Sequence, residues 1–315
     1  MTLASDSRPG CLAADLGGTK IRAARFDARG RLQALVETPT PAADGEAVAA
    51  AVIAVLEQLR TPAPQGIGVC VPGLVYPDGH VWAPNLPGWQ RYPLRARIRR
   101  GLAGYDGPVL IESDRNAFIA GEVWRGRARG ARDAIAVMLG TGIGAGIWSG
   151  GRLLRGRHEL AGAMGWLAVD QDLRPGYRQR GCLETLAAGP ALAAAARAAG
   201  RNWDAPALVR RAQAGDPLAR LLLAQAGAAL GRGLANLVSL LNPEIIILSG
   251  GVADAAGKLL LAPAQRELRR WAQPLAARQV KLAVSRLGAR APLLGLAGML
   301  LAGQPLRSLP AENLS

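Results

Sequence analysis

The chain has 315 residues, half of them apolar and only 19% charged, enough for a buried core and more in keeping with two domains than with one. Its net charge is +15, and all but three of its 38 basic residues are Arg, Lys20, Lys258 and Lys281 being the exceptions. That balance favours anionic partners, phosphorylated small molecules included, but aromatics are only 4% and no helix-turn-helix, zinc-finger or RNP pattern is present, so nucleic acid is not the expected partner. The densest Arg clusters, Arg95 to Arg100 and Arg125 to Arg132, read as solvated faces.

Membrane and secretory roles are not expected either. The start, MTLASDSRPG, has no basic flank and no apolar signal core, and the longest uninterrupted apolar run, Ala291 to Gly303, is 13 residues, short of a span. Three widely spaced cysteines, Cys11, Cys70 and Cys182, fit a reduced cytoplasm better than a disulfide scaffold.

In chain order, a short apolar run at Cys11 to Ala14 ends in Asp15 and the glycine turn Gly17-Gly18-Thr19-Lys20. Strand-like runs follow at Ile21 to Phe26 and Leu32 to Thr38. A P-loop or Rossmann loop leads from a strand into a helix, and this turn leads into a second strand, so neither applies. Asp44 is an N-cap candidate for an amphipathic helix reaching Leu59, with Val48, Val52, Val55, Leu56 and Leu59 on one face. Ile67 to Val71 reads as a buried strand, Pro72 to Trp89 as a loop, Val109 to Glu112 as a strand, and Asn116 to Trp124 as the start of a helix.

The opening pattern then recurs. Ala134 to Leu139 is apolar, Gly140-Thr141-Gly142-Ile143-Gly144 is a glycine turn, Ala145 to Trp148 is strand-like, and a third strand starts at Arg152 to Leu154 after a hairpin turn. Two such units predict two domains of related topology, with the boundary near Asp114 to Glu122. Asp216-Pro217 starts a long helix with apolar residues from Leu218 and Leu221 to Leu241, stopped by Asn242-Pro243. Ile245 to Leu248 is a buried strand running into a turn at Gly250-Gly251, and the last helix spans about 294–303.

Asp15 stands at a strand end beside amides freed by glycine, a pattern that suits phosphate oxygens and a hydrated Mg²⁺, with Thr19 as a hydroxyl donor. An ordinary tight hairpin uses the same residues. Gly140 to Gly144 is equally ambiguous alone, and Ser249-Gly250-Gly251 adds a third glycine-bearing strand end.

Taken in order and spacing, DLGGTK, PNLPGW, the Asp114 segment, LGTGIGAGI, GCLET and NPEIIILSGGV resemble the ROK family of bacterial sugar kinases and repressors, over about residues 11–303. The resemblance implies an α/β, actin/hexokinase-like (ribonuclease H-like) fold of two domains, with ATP and sugar in the cleft between them. The domains are expected at 1–116 and 117–315, the last helix packing back onto the first. The resemblance puts Asp15, Gly17, Gly18, Thr19, Lys20, Gly140, Thr141, Gly142 and Gly144 at ATP, with Gly250 and Gly251 on the adenosine side. Asp114 matches the catalytic base, although an Asp in that place also suits a helix cap. Gly73, Asn85, Ser113, Asp114 and Glu184 would meet the sugar, Asn85 having a loop-stabilising role as its alternative.

Departures from the family pattern stand out. Ser113 replaces the usual Asn before Asp114, and Arg115 is larger than the usual residue. In the AGE-x-GH motif, Ala163 stands for the Glu and Trp166 for the His, and His158 and Glu159 lie just upstream, where surface placement is the simpler reading. The family's zinc ligands would fall on Trp166, Pro175, Tyr177 and Cys182, so structural zinc is not expected and Cys182 should be a buried free thiol. The implied function is ATP- and Mg²⁺-dependent phosphorylation of a hexose or amino sugar by a cytoplasmic homodimer. A non-catalytic sugar or nucleotide sensor is the runner-up, favoured by the missing Glu and His. The repressor branch carries an added N-terminal helix-turn-helix domain, for which a first strand at Cys11 leaves no room.

Overall fold

The structure, a computed structural model, describes residues 9–42, 44–60 and 64–302. The first eight residues, most of the start that carries no signal core, and residue 303 of the expected last helix lie outside the described residues. The elements run β1 (Cys11–Leu16), β2 (Lys20–Phe26), β3 (Leu32–Pro39), α1 (Gly45–Leu59), β4 (Gly66–Val71), β5 (Leu74–Val75), β6 (Val81–Trp82), α2 (Leu94–Gly101), β7 (Val109–Ser113) and α3 (Asp114–Arg125). They continue as β8 (Ala134–Leu139), β9 (Ile143–Ser149), β10 (Arg152–Leu153), α4 (Tyr177–Arg180), α5 (Cys182–Ala187), α6 (Gly189–Ala198), α7 (Ala205–Gln213), α8 (Pro217–Leu241), β11 (Ile245–Ser249), α9 (Gly251–Ala256), α10 (Lys258–Trp271), α11 (Pro274–Gln279), β12 (Lys281–Val284) and α12 (Ala291–Leu301).

The chain divides into two compact units. One takes the described residues of Met1–Gly126, Arg155–Leu160 and Ala289–Ser315, the other Arg127–Leu154 and Ala161–Gly288. The first unit is built on a five-stranded sheet of order β3-β2-β1-β4-β7, the second on one of order β10-β9-β8-β11-β12. In each, the first three strands in sequence are antiparallel neighbours and the remaining pairings are parallel. The two glycine turns that repeat in the sequence occupy the same place in the two sheets, between the first strand and its antiparallel neighbour.

In the first unit, β4 is buried along its whole length, as its unbroken apolar run requires. Helix α1 begins where Asp44 accepts from the Ala47 amide at 2.9 Å, and Val48, Val52, Val55, Leu56 and Leu59 are buried. Pro72 to Trp89 contains the short β5–β6 hairpin and a turn folded around Trp89, which is fully buried and stacked on Tyr92 at 4.6 Å. Helix α3 starts at Asp114, two residues before the expected start, because Ser113 caps it by accepting from the Asn116 amide at 3.3 Å. It lies wholly in the first unit, past the expected boundary at 116. Its partner there is α12: a Cβ at Gly121 would sit 2.0 Å from the Ala291 carbonyl oxygen, and one at Gly295 1.8 Å from that of Ala117. These two glycines let the helix backbones touch, and Leu293, Leu296 and Ala297 of α12 complete a core with Cys11, Ala13, Cys70 and Ala117.

The second unit is centred on α8. Asp216 caps it through the Ala219 amide at 2.9 Å and Asn242 ends it in the left-handed conformation, φ 45°. By length and composition this helix could cross a membrane, although Arg220, Gln225, Arg232 and Asn236 break its apolar sequence into short runs. Two thirds of its apolar window is buried, with Gly227 and Gly231 against the backbone of α10 and Gly233 against Leu183, as in a core helix. Leu221, expected on its apolar face, is exposed.

Candidate active site

In the first unit the polar residues gather at the carboxyl ends of the parallel strands, where open α/β sheets bind ligands. Asp15 of β1 pairs in register with Cys70 of β4, and Cys70 with Glu112 of β7, so one row across three strands carries an acid, a thiol and an acid on the same face. The Cys70 thiol donates to Asp15 Oδ1 at 3.2 Å, and Arg22 of β2 comes within 4.0 Å of Oδ2. Burial raises the Asp15 pKa, opposed by the thiol bond and Arg22. Burial likewise pushes the Cys70 thiol well up, helped by the charges of Asp15, Asp114 and Glu112.

Asp114, the first residue of α3, keeps partial solvent access, and its Oδ1 accepts from the Arg115 amide at 2.8 Å. Its carboxyl is pushed up to about 7, first by burial and then by the negative charge of Asp15, against the lowering effect of Arg115. Such a carboxylate can take a proton near neutral pH. The N-cap is Ser113, and Asp114 is the first helical residue, its Oδ1 taking up one first-turn amide. Ser113 spends its acceptor on that cap and is buried.

The turn after β1 closes with the Gly17 amide donating to the Lys20 carbonyl at 2.9 Å, while Thr40 holds its far side through bonds to Gly17 and Thr19 oxygens. Gly18 and Thr19 form its exposed tip, and a Cβ on Gly18 would meet nothing within 4 Å. Lys20 lies in β2, its ammonium 3.4 Å from Glu37. Gly73 is closed in by the protein itself, its missing Cβ facing the Trp82 carbonyl oxygen at 2.2 Å, which accounts for that glycine without a ligand. Asn85 is exposed in the turn anchored by Trp89.

The second unit brings another set to the carboxyl ends of β8 and β11, adjacent parallel strands in which Met138 pairs with Ser249. Gly140, Thr141 and Gly142 make the turn, whereas Gly144 is a strand residue paired with Met138, so the turn is shorter than its glycines suggest. Glu184, in the first turn of α5, accepts from the Ile143 amide at 2.8 Å through Oε2, and the same oxygen lies 2.8 Å from where a Gly142 Cβ would be. Gly250 has φ 103° and faces the Leu139 carbonyl oxygen at 2.5 Å, while Gly140 and Gly251 have open space around them. Gly251 starts helix α9 where a turn was expected.

Ala163 and Trp166 are both exposed, Trp166 at 57%. Tyr177 is buried and donates to Asp170 Oδ2 at 2.6 Å, and Arg174 reaches the same oxygen at 2.9 Å. Cys182 is a buried free thiol accepting weakly from the Val169 amide at 3.5 Å. Among the described residues no cluster of three or more His, Cys, Asp or Glu side chains is placed to hold a metal.

Glu112 and Arg155 were not singled out from the sequence. Glu112 is 1% exposed, and its oxygens accept from the Ser113 amide, Asn116 Nδ2 and both terminal nitrogens of Arg155. Arg155 also donates to Glu159 at 3.0 Å, and although burial works to lower its pKa, these two carboxylates hold it above the ordinary value. The available signal was an acid inside the apolar strand VLIES, a charge that burial permits only with a partner. His158 is exposed, as the simpler reading had it, but Glu159 is held by Arg155.

Two α/β units with matching sheets, each carrying a glycine turn between its first two strands, define the actin/hexokinase-like fold class. The family model of the ROK family matches residues 11–302, and the chain belongs to that family. A ROK hexokinase structure from Thermus thermophilus is 37% identical, with a TM-score of 0.76 covering 91% of this chain and 96% of that one. A ROK glucokinase from Streptomyces griseus, in complex with glucose and AMPPNP, is 31% identical, with a TM-score of 0.77 covering 92% and 98%. The N-acetylmannosamine kinase of Escherichia fergusonii is 32% identical over 300 residues, 94% of this chain and 99% of that protein.

Proposed function

We propose that this chain is an ATP-dependent sugar kinase in which Asp114 accepts the proton of the attacking sugar hydroxyl. The observation carrying this reading is the place of Asp114, the first residue of α3 directly after the carboxyl end of β7, where burial and the charge of Asp15 push its pKa up to about 7. A carboxylate with that pKa is about half ionised at neutral pH, and its ionised form is basic enough to assist an alcohol whose oxygen attacks the γ-phosphorus. As the O–P bond forms, the hydroxyl proton passes to Asp114 and ADP leaves.

The exposed tip Gly18-Thr19 and the turn Gly140-Thr141-Gly142 are assigned to the phosphates, and Gly250-Gly251 to the adenosine side. Support comes from the space around Gly18, Gly140 and Gly251, which the fold itself does not need. Glycine at 17, 142 and 250 is accounted for by close protein contacts, so their identity carries no weight for the nucleotide. Lys20 and Gly144, within strands, would contribute through the backbone around the turns. Mg²⁺ bound with ATP neutralises phosphate charge, and it needs only one or two carboxylates besides phosphate and water. Asp15 fits that need, being a half-buried acid with the Arg22 guanidinium 4.0 Å from its Oδ2.

Asn85, Ser113, Asp114 and Glu184 are assigned to the sugar, Glu184 through Oε1, since Oε2 is engaged by the Ile143 amide, and Ser113 through its hydroxyl hydrogen, since its oxygen caps α3. The Tyr177–Asp170–Arg174 cluster supports the absence of structural zinc, since it ties together the segment that metal would otherwise order. A cytoplasmic setting accords with three buried free thiols. The homodimer expected from the resemblance is carried as part of this reading, and light scattering checks it. The test of the base is Asp114→Asn, which should keep ATP binding and lower kcat by about 10²–10⁴-fold. A variant retaining more than half the wild-type kcat would remove Asp114 from this role.

A further inference from the structure

Glu112 is a buried carboxylate two residues ahead of Asp114, and the mechanism above gives it no part. Its Oε1 accepts from the Ser113 amide at 2.9 Å and from Asn116 Nδ2 at 3.0 Å, so it bridges the end of β7 and the first turn of α3. Asp114 is the residue enclosed by that bridge. Arg155 supplies the counter-charge, its Nη1 and Nη2 meeting Oε1 and Oε2 in the two-pronged arrangement that fixes a carboxylate plane. Arg155 is itself 13% exposed and is steadied by Glu159, a non-glycine residue at φ 59°. The six residues Arg155–Leu160 group with the first unit although the chain before and after them belongs to the second.

We infer that Glu112 and Arg155 are positioning residues for phosphoryl transfer: their ion pair holds the β7–α3 junction in the one geometry that aims Asp114 at the sugar hydroxyl. The inference rests on the assignment of Asp114 as the base.

The charges around Asp114 show why the pair must be complete. Acids stand at Asp15 on β1, Glu112 on β7 and Glu159 in the excursion, while the cations are Arg22 on β2, Arg115 on α3 and Arg155. Glu112 lies two strands from Asp15, about 10 Å at ordinary strand spacing. Without Arg155 it becomes a buried charge with only an amide N–H and one carboxamide as partners. Such a group draws in water or swings towards solvent, and either response breaks the bonds that set the first turn of α3. A misplaced base costs rate even when both substrates still bind.

The test compares Arg155→Met, Arg155→Lys and the double variant Glu112→Gln/Arg155→Met, reading kcat and KM together with amide exchange at residues 113–117. Arg155→Met should lower kcat about 10- to 100-fold with KM for ATP little changed, and should speed exchange at 113–117. Arg155→Lys, keeping the charge but not the fork, should fall between. The double variant, whose neutral carboxamide at position 112 can still accept from the Ser113 amide without a stranded charge, should recover most of the lost kcat and slow exchange again. A merely structural role predicts the opposite order, with two core changes worse than one. Unchanged kcat and exchange in Arg155→Met, or a double variant no better than the single, would overturn the inference. If wild-type protein turns over no sugar, the kinase reading falls, and the exchange pattern still decides whether the pair holds the junction.

Discussion

Adding one methyl group to Gly18 separates a glycine kept for the fold from one kept for a ligand. At Gly18 the new Cβ would meet nothing within 4 Å, and the residue lies outside the left-handed region. Gly18→Ala should therefore leave the free protein as stable as before or raise stability by about 0.4–1 kcal/mol, through the reduced freedom of the unfolded chain. For a chain of this size that is a rise of at most about 4 °C in Tm. At Gly142 the Cβ would lie 2.8 Å from Glu184 Oε2 and 3.4 Å from its Cδ, so the carboxylate must leave the Ile143 amide. Gly142→Ala should then cost about 1–3 kcal/mol before any ligand is added. If the Gly17–Thr19 tip meets phosphate, the methyl group of Gly18→Ala keeps the amides from closing on it, and one charge-assisted hydrogen bond is worth about 1.5–3 kcal/mol. That is a rise of about 10- to 150-fold in KM for ATP, with KM for sugar unaffected. Thermal melts without ligand, followed by steady-state kinetics varying each substrate, measure both quantities. A Gly18→Ala protein with wild-type KM for ATP would show that this turn does not approach the nucleotide, and a lowered Tm would refute the reading of open space.

If Asp114 is the base, kcat/KM should fall as pH drops through about 7, because the protonated carboxyl cannot accept, and profiles across pH 5–9 would show it. The same raised pKa means that the folded state binds the proton more tightly than the unfolded chain. The resulting stability is complete below the ordinary value of 3.8 and is lost as pH rises through about 7, a slope that Asp114→Asn should abolish in denaturant titrations. Tyr177→Phe should cost about 1–2 kcal/mol by leaving Asp170 with one fewer donor, and purified wild-type protein should contain no stoichiometric zinc by elemental analysis. Near-stoichiometric zinc, or activity lost to mild EDTA and restored by Zn²⁺ but not Mg²⁺, would refute the second point. Asp44→Ala should cost about 1 kcal/mol by removing the α1 cap, with kcat untouched.

Elements whose signal is local were legible in the sequence. β4 declares itself by an unbroken apolar run, α1 by its cap and its apolar face, and α8 by Asp216-Pro217 at one end and Asn242-Pro243 at the other. The two-residue strands β5 and β6 have no periodicity to read, and their hairpin depends on Gly73 admitting the Trp82 carbonyl. The extent of the first unit was hidden because α3 is claimed by α12, nearly 170 residues later, through the glycine contacts of Gly121 and Gly295. At the site, Asp15 was visible as an acid near the end of β1 before a glycine turn, and Asp114 as an acid directly after the apolar strand β7. Glu112 was not, since its bridge between Ser113, Asn116 and Arg155 exists only once β7, α3 and the 155–160 excursion are together. The glycines marked as ligand contacts proved to be of two kinds, and what separates Gly142 from Gly18 is the Glu184 side chain, brought to it from 42 residues away by the fold.

ADP release from Mg²⁺ and ATP over a panel of hexoses and amino sugars, N-acetylmannosamine and glucose among them, separates a sugar kinase from a sensor. Sugar-dependent ADP formation is expected with at least one member of the panel, nearly absent in Asp114→Asn. Sugar or nucleotide binding without ADP release from any member would contradict it and identify the chain as a sensor.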